Sequence, residues 1–130
     1  MDNGVTASRL RIAGRGDLAA VNSVVEGAVG SWDAAERVKR LARPVCRYRE
    51  DDLDHMWLVV AEDGDGSVAG VAAVEDADGN EAGQYGRALQ LHGIFVRPGD
   101  MGKGIGTELL ATSSRIADAL GYDGLLVKAV

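Results

Sequence analysis

Cysteine occurs once in the 130 residues, at Cys46, so no disulfide can close within the chain. That excludes a scaffold stapled by bridges and makes a reducing cytoplasm the expected setting. Proline occurs twice and aromatic residues make up 5% of the chain, so the core must be built from Ala, Val, Leu and Ile. No apolar run approaches the roughly 18 residues of a membrane span, and Met1 to Leu10 lacks the apolar centre of a secretory signal. Basic residues are also scarce: 14 Lys and Arg stand against 20 Asp and Glu, a net charge of −6. A chain that coats nucleic acid is normally basic. Neither nucleic acid nor membrane is an expected partner.

What is present fits one globular domain spanning 1–130, with 46% hydrophobic and 26% charged residues. Ser8 to Ala13 predicts a first strand, and Asp17 a cap for a helix whose stripe runs through Leu18, Val21, Val24, Val25 and Ala28. Ser31 or Asp33 would cap a second helix to about Leu41, ended by Pro44. Met56 to Ala61 and Ser67 to Val74 read as a hairpin around an Asp/Gly turn. Ala88 to Val96 is the next strand, Gly104 to Leu120 a long helix closed by Gly121, and Leu125 to Val130 a last strand. The expected class is α/β of the α+β kind: a mixed, mostly antiparallel sheet flanked by helices.

Two charged stretches allow more than one reading. Arg37, Lys39, Arg40, Arg43, Arg47 and Arg49 form either a solvated helix face with its following turn or a patch for an anionic ligand or acidic partner. Asp76 to Glu81 begins like a calcium loop, but Glu81 stands where the sharp turn needs Gly, so no metal is expected there. A solvated loop from Glu75 to Arg87 is the better reading.

The most informative stretch runs from Ile94 to Thr107. It sets a strand, a Pro-stopped loop, the alternating glycines Gly102, Gly104 and Gly106, and a long helix in succession. The first N–H groups of a helix have no internal partner and carry partial positive charge. Glycine removes the side chains that would keep an anion from those donors, so the stretch can cradle a phosphate. A tight turn alone would also account for the glycines. A dinucleotide fingerprint fails at Thr107 or Leu109, and a Walker loop fails because Lys103 is followed by Gly104.

Ile94-Phe95-Val96-Arg97-Pro98 followed by Gly102-Lys103-Gly104-Ile105-Gly106 resembles the signature of the GNAT-type N-acyltransferases, and the order of elements resembles that family along essentially the whole chain. The resemblance implies acetyl-CoA as co-substrate, with no metal, and a primary amine of a small molecule or peptide as acceptor. It implies that the main chain of Ile94, Phe95 and Val96 pairs with the pantetheine arm. Gly102, Lys103, Gly104, Ile105, Gly106 and Thr107 would then hold the pyrophosphate through backbone N–H groups.

Three departures from the family pattern follow. Met101 replaces the usual Arg or Gln and cannot donate to a phosphate. Gln90 replaces a Glu that serves many members as general base. His92, two residues on, becomes the candidate base, since an imidazole ordinarily titrates near neutral pH. A histidine merely hydrogen-bonded within a half-buried strand is the alternative, and Glu75 reads as a poorer candidate. Finally, the chain ends at the fifth strand, before the helix and two strands that usually follow. No general acid is then expected: none of Tyr48, Tyr85 and Tyr122 occupies the matching place. The apolar edge Leu125 to Val130 would invite a homodimer or a swapped element to cover it, the alternative being a fragment whose final third was lost. A catalytically weak acyl-CoA sensor acting on a partner protein is the competing function, and an interaction domain without ligand a third. The acidic surface leans slightly towards a cationic acceptor.

Overall fold

The computed structural model describes residues 9–77 and 87–127. Within them one sheet runs in the order β1 (Arg9–Ile12), β2 (Met56–Glu62), β3 (Val68–Asp76), β4 (Ala88–Val96) and β5 (Gly124–Val127). The first three pairings are antiparallel and the last, β4 with β5, is parallel. A parallel neighbour needs a crossover, and α3 (Ile105–Ala119) supplies it. Two further helices, α1 (Leu18–Gly30) and α2 (Glu36–Cys46), lie between β1 and β2 in the chain. This is the mixed, mostly antiparallel sheet that the apolar runs predict.

The central strands are apolar on both faces because both faces are covered. Val21, Val25 and Val29 of α1 pack against Leu58, Val60, Val71 and Ala73. Ile105, Leu109 and Ala117 of α3 pack against Val59, Ala72, Val74, Leu89 and Leu91 on the other side. Each fully buried Val or Leu contributes about 1.5–3 kcal/mol, so these two layers fix where β4 stands between the helices.

Several local expectations need correction. Asp17 does not cap α1. Its own backbone is helical, and its carboxylate takes two hydrogen bonds from Arg11 and one from the Gly14 N–H. Neither Ser31 nor Asp33 caps α2, which starts after Ala35; the Ser31 hydroxyl donates to Ala28 O instead. Pro44 does not stop α2 but sits in its last turn, where the missing N–H forfeits a single helical hydrogen bond. Glu75 is not in a loop, because β3 continues to Asp76. Residues 78–86, with Tyr85 and most of the calcium-like loop, and residues 128–130 of the expected edge strand lie outside the described residues. β5 has β4 on one side, and no other described strand pairs with it.

Candidate active site

β4 is a strand with two different halves. Ala88 to Leu91 pair with β5, while the half from Gly93 to Val96 pairs only with β3 among the described residues. In a strand, alternate N–H and C=O groups point to either neighbour. The open half therefore presents unpaired main-chain groups along its free side. A cleft of about 210 Å³ runs beside it, lined by Ile94, Phe95, Val96, Met101, Ser31 and Trp32.

The glycine loop closes one end of this open strand. Gly102 and Gly104 have φ of +82° and +84°, the left-handed region that other residues rarely adopt. A Cβ added at either would meet nothing within 4 Å, so the mouth of the loop is open. The first N–H inside α3 to find a helical acceptor is that of Glu108, bonded to Gly104 O. The N–H groups of Ile105, Gly106 and Thr107 come before it and are the orphan donors of this terminus. A Cβ on Gly106 would stand 3.9 Å from both Ile94 and Val96, so the first turn of α3 rests against the open half of β4.

Behind the loop the side-chain charges cancel. Arg97 donates to Asp100 and to Asp63 at 2.6 Å each and to the Ser67 hydroxyl, tying the β2–β3 turn to the loop. Asp100 is buried and also accepts from Lys103 Nζ at 2.8 Å. The Lys103 and Arg97 cations hold its carboxyl below the usual range. Lys103 thus braces the loop with its side chain, leaving the backbone as the main anion donor.

On the opposite face of β4 stands a group that sequence reasoning undervalued. Ala73 pairs with Gly93 and Val74 with Leu91, so His92 is an extra residue, a β-bulge. The bulge explains why Leu89 and Leu91 share one core with Ile94 and Val96, a shift of parity that strict alternation forbids. His92 Nε2 meets Glu75 Oε1, and His55 Nδ1 lies 2.8 Å from Glu75 Oε2. An ionised carboxylate only accepts, so both imidazoles must donate to it. His92 in its neutral form then keeps its lone pair on Nδ1. Burial pushes the Glu75 carboxyl up, but the two imidazoles outweigh it and hold it ionised below the usual range. Glu75 also drives the His55 imidazole upward.

His92 and Phe95 form one wall of a cleft of about 700 Å³ whose other wall includes Arg47, Tyr48, Arg49 and Asp52. Asn22 clamps that wall: its Oδ1 accepts the Tyr48 N–H and its Nδ2 donates to Tyr48 O, both at 2.8 Å. Tyr48 packs on the α1 core, and burial pushes its phenol up to about 12, so it stays protonated. Among the described residues no group of three or more His, Cys, Asp or Glu is arranged to hold a metal ion.

The family model described as "Acetyltransferase (GNAT) family" matches residues 22–129. The chain belongs to the GNAT acetyltransferase family. Solved structures of similar fold include a GNAT acetyltransferase from Brucella melitensis in complex with acetyl-CoA. It is 19% identical, with a TM-score of 0.69, covering 96% of this chain and 77% of that one. A ribosomal-protein-alanine N-acetyltransferase from Brucella melitensis biovar Abortus 2308 is 20% identical, TM-score 0.69, over 95% of this chain and 81% of that one. A protein provisionally named phosphinothricin N-acetyltransferase is 29% identical, TM-score 0.66, over 93% and 71%. No curated protein sequence matches this one.

Within this GNAT chain, Ile94 to Val96 and Gly102 to Thr107 come together as one continuous rim. His92 sits on the other face of the same strand, towards α1 and α2. The sequence carried no signal for Glu75 and His55 as its partners, because they lie 17 and 37 positions away along the chain. The β3–β4 register brings Glu75 to His92, and the β2–β3 register, which pairs Met56 with Glu75, brings in His55.

Proposed function

We propose that this GNAT acetyltransferase moves an acetyl group from acetyl-CoA to a primary amine of a small molecule or peptide. The observation that carries this reading is the open glycine mouth meeting the half of β4 that, among the described residues, pairs only with β3. The donors fit the ligand's chemistry: backbone N–H groups from Gly102 to Thr107 suit a diphosphate, and the free edge at Ile94, Phe95 and Val96 suits an extended amide-bearing arm. An N–H of that edge is placed to stabilise the negative charge that develops on the thioester oxygen.

His92 takes a proton from the acceptor's ammonium on Nδ1, freeing the nitrogen lone pair for attack, while Glu75 holds Nε2 and balances the charge that results. The C–N bond forms, the C–S bond breaks, the second nitrogen proton passes to solvent, and water protonates the departing thiolate. Thiols titrate near 8.5, so no dedicated acid is required for that step. We read residues 1–130 as one such unit, working in the cytoplasm. The free edge of β5, where Val127 is exposed, serves as the seam of a homodimer. A monomeric mass by sedimentation at micromolar concentration would remove the dimer from this reading.

Thermal unfolding with acetyl-CoA tests the donor side. A ligand at about 100 times its Kd stabilises the folded chain by about 2.7 kcal/mol. Dephospho-CoA should give part of that shift and ATP none. No shift with any CoA species overturns the reading. The alternative, an acyl-CoA sensor, predicts the same shift without thiol release in the presence of any amine.

A further inference from the structure

Resting on the acetyl-transfer reading, we propose that the acceptor is a small primary amine that also carries an oxyanion, in its simplest form the carboxylate of an amino acid. Arg47 and Arg49 are the residues that select it.

The local backbone sets this up. Past the end of α2 the chain is extended, with φ/ψ of −75°/137° at Arg47 and −124°/167° at Arg49. In an extended segment residues i and i+2 project to one side, their Cα atoms roughly 6.6 Å apart. Tyr48, between them, is pinned through its backbone by Asn22 and turned into the α1 core. Arg47 and Arg49 thus stand on a segment that is itself held in place, and both line the cleft that His92 also lines.

Not every arginine is matched by a carboxylate among the described residues. Arg11 is matched by Asp17 and Glu62, and Arg97 by Asp63 and Asp100. Arg47 and Arg49 have no carboxylate within 4.0 Å among the described residues. Arg37, Arg40, Arg43, Arg87 and Arg115 likewise pair with no carboxylate among the described residues, but Arg47 and Arg49 are the two arginines that line the cleft. Asp52, which lines the cleft, and Glu75 are already engaged. Asp52 accepts the Arg49 N–H at 2.8 Å, and Glu75 is shared between His55 and His92. The cleft thus offers two arginines, whose planar forks fit an oxyanion, across from an imidazole able to take a proton from an amine. That is the charge pattern of an amino acid, and the opposite of the cationic acceptor suggested by the net charge.

The test is steady-state acetylation by the full chain of a panel of α-amino acids, the corresponding α-amino amides and polyamines. The amino acids should be used with kcat/KM at least tenfold above their amides. In Arg47→Ala/Arg49→Ala the KM for the amino acid should rise about tenfold or more. Its kcat, the KM for acetyl-CoA and the constants for the amides should stay within twofold. Amides or polyamines used as well as the acids, no turnover of any amino acid, or an unchanged KM in the double variant would each overturn the inference. The acid–amide comparison uses the unaltered chain, so it stands if the variant folds poorly. Acetyl-CoA still stabilising the protein in any of those outcomes leaves the donor reading intact and removes only the acceptor.

Discussion

Two stretches flank the open half of β4, one on each face, and they treat charge in opposite ways. On the α3 face, Arg97, Lys103, Asp63 and Asp100 neutralise one another behind the glycine loop, and what points outward is backbone N–H. On the α1–α2 face, Arg47 and Arg49 line the cleft with no carboxylate within 4.0 Å among the described residues, and the proposed base, His92, is a side chain held by another side chain. The difference teaches where each recognition task is written. Main-chain donors need only a backbone path that glycine permits, so they suit a ligand part common to a whole family. Choosing one acceptor among many amines needs side chains, which can be exchanged without altering the fold.

The comparison breaks most sharply on the glycine side. Gly102→Val/Gly104→Val places two β-branched residues at positive φ, at a cost of about 1–2 kcal/mol each, and fills an open mouth. Acetyl-CoA affinity should fall about a thousandfold, read as loss of the ligand-induced thermal shift against the variant's own baseline. Retention of that shift would mean that the backbone cradle is not where the diphosphate sits.

On the other face the effect is smaller and of a different kind. His92→Ala should lower kcat about a hundredfold, within the usual range for a lost general base, with the KM for acetyl-CoA unchanged. Glu75→Gln keeps the shape but removes the charge behind the imidazole. It should cost about tenfold in kcat, since Glu75 acts through His92 and does not touch the acceptor. Equal loss of acetyl-CoA binding in these variants would erase the distinction between the two faces.

The same contrast governs what the sequence discloses. The glycine loop was legible because positive φ at Gly102 and Gly104 is a demand on residue type at fixed spacing, next to a strand that Pro98 ends. The two covered faces of the sheet were legible from continuous apolar runs. The His55–Glu75–His92 group was not. It depends on a bulge at His92 and on β3 running two residues further than its apolar pattern, both products of tertiary register. The arginines fell between these cases. Their clustering was visible, but only the fold separates Lys39, whose Nζ donates to Gly30 O, from Arg47 and Arg49 beyond the helix end.

The smallest effect lies outside both faces and serves as their control. Asp17 is held down to about 2 by hydrogen bonds from Arg11 and the Gly14 N–H, well below an ordinary aspartate near 3.8. A carboxylate with a depressed folded pKa stabilises the native state at pH values above its unfolded pKa, and that contribution disappears as pH falls through the folded one. The shift corresponds to about 2 kcal/mol, but both partners are part-exposed, so solvent screening leaves about 1 kcal/mol. Asp17→Asn should therefore lower unfolding stability by about that amount at pH 7. The gap to the unaltered chain should narrow between pH 4 and pH 2 and close below it, while the acetyl-CoA shift stays the same. A gap still undiminished at pH 2 would assign the Asp17 contribution to packing instead of charge. A change in acetyl-CoA binding would show that the β1–α1 corner and the glycine loop are coupled, which the separate cores beneath α1 and α3 argue against.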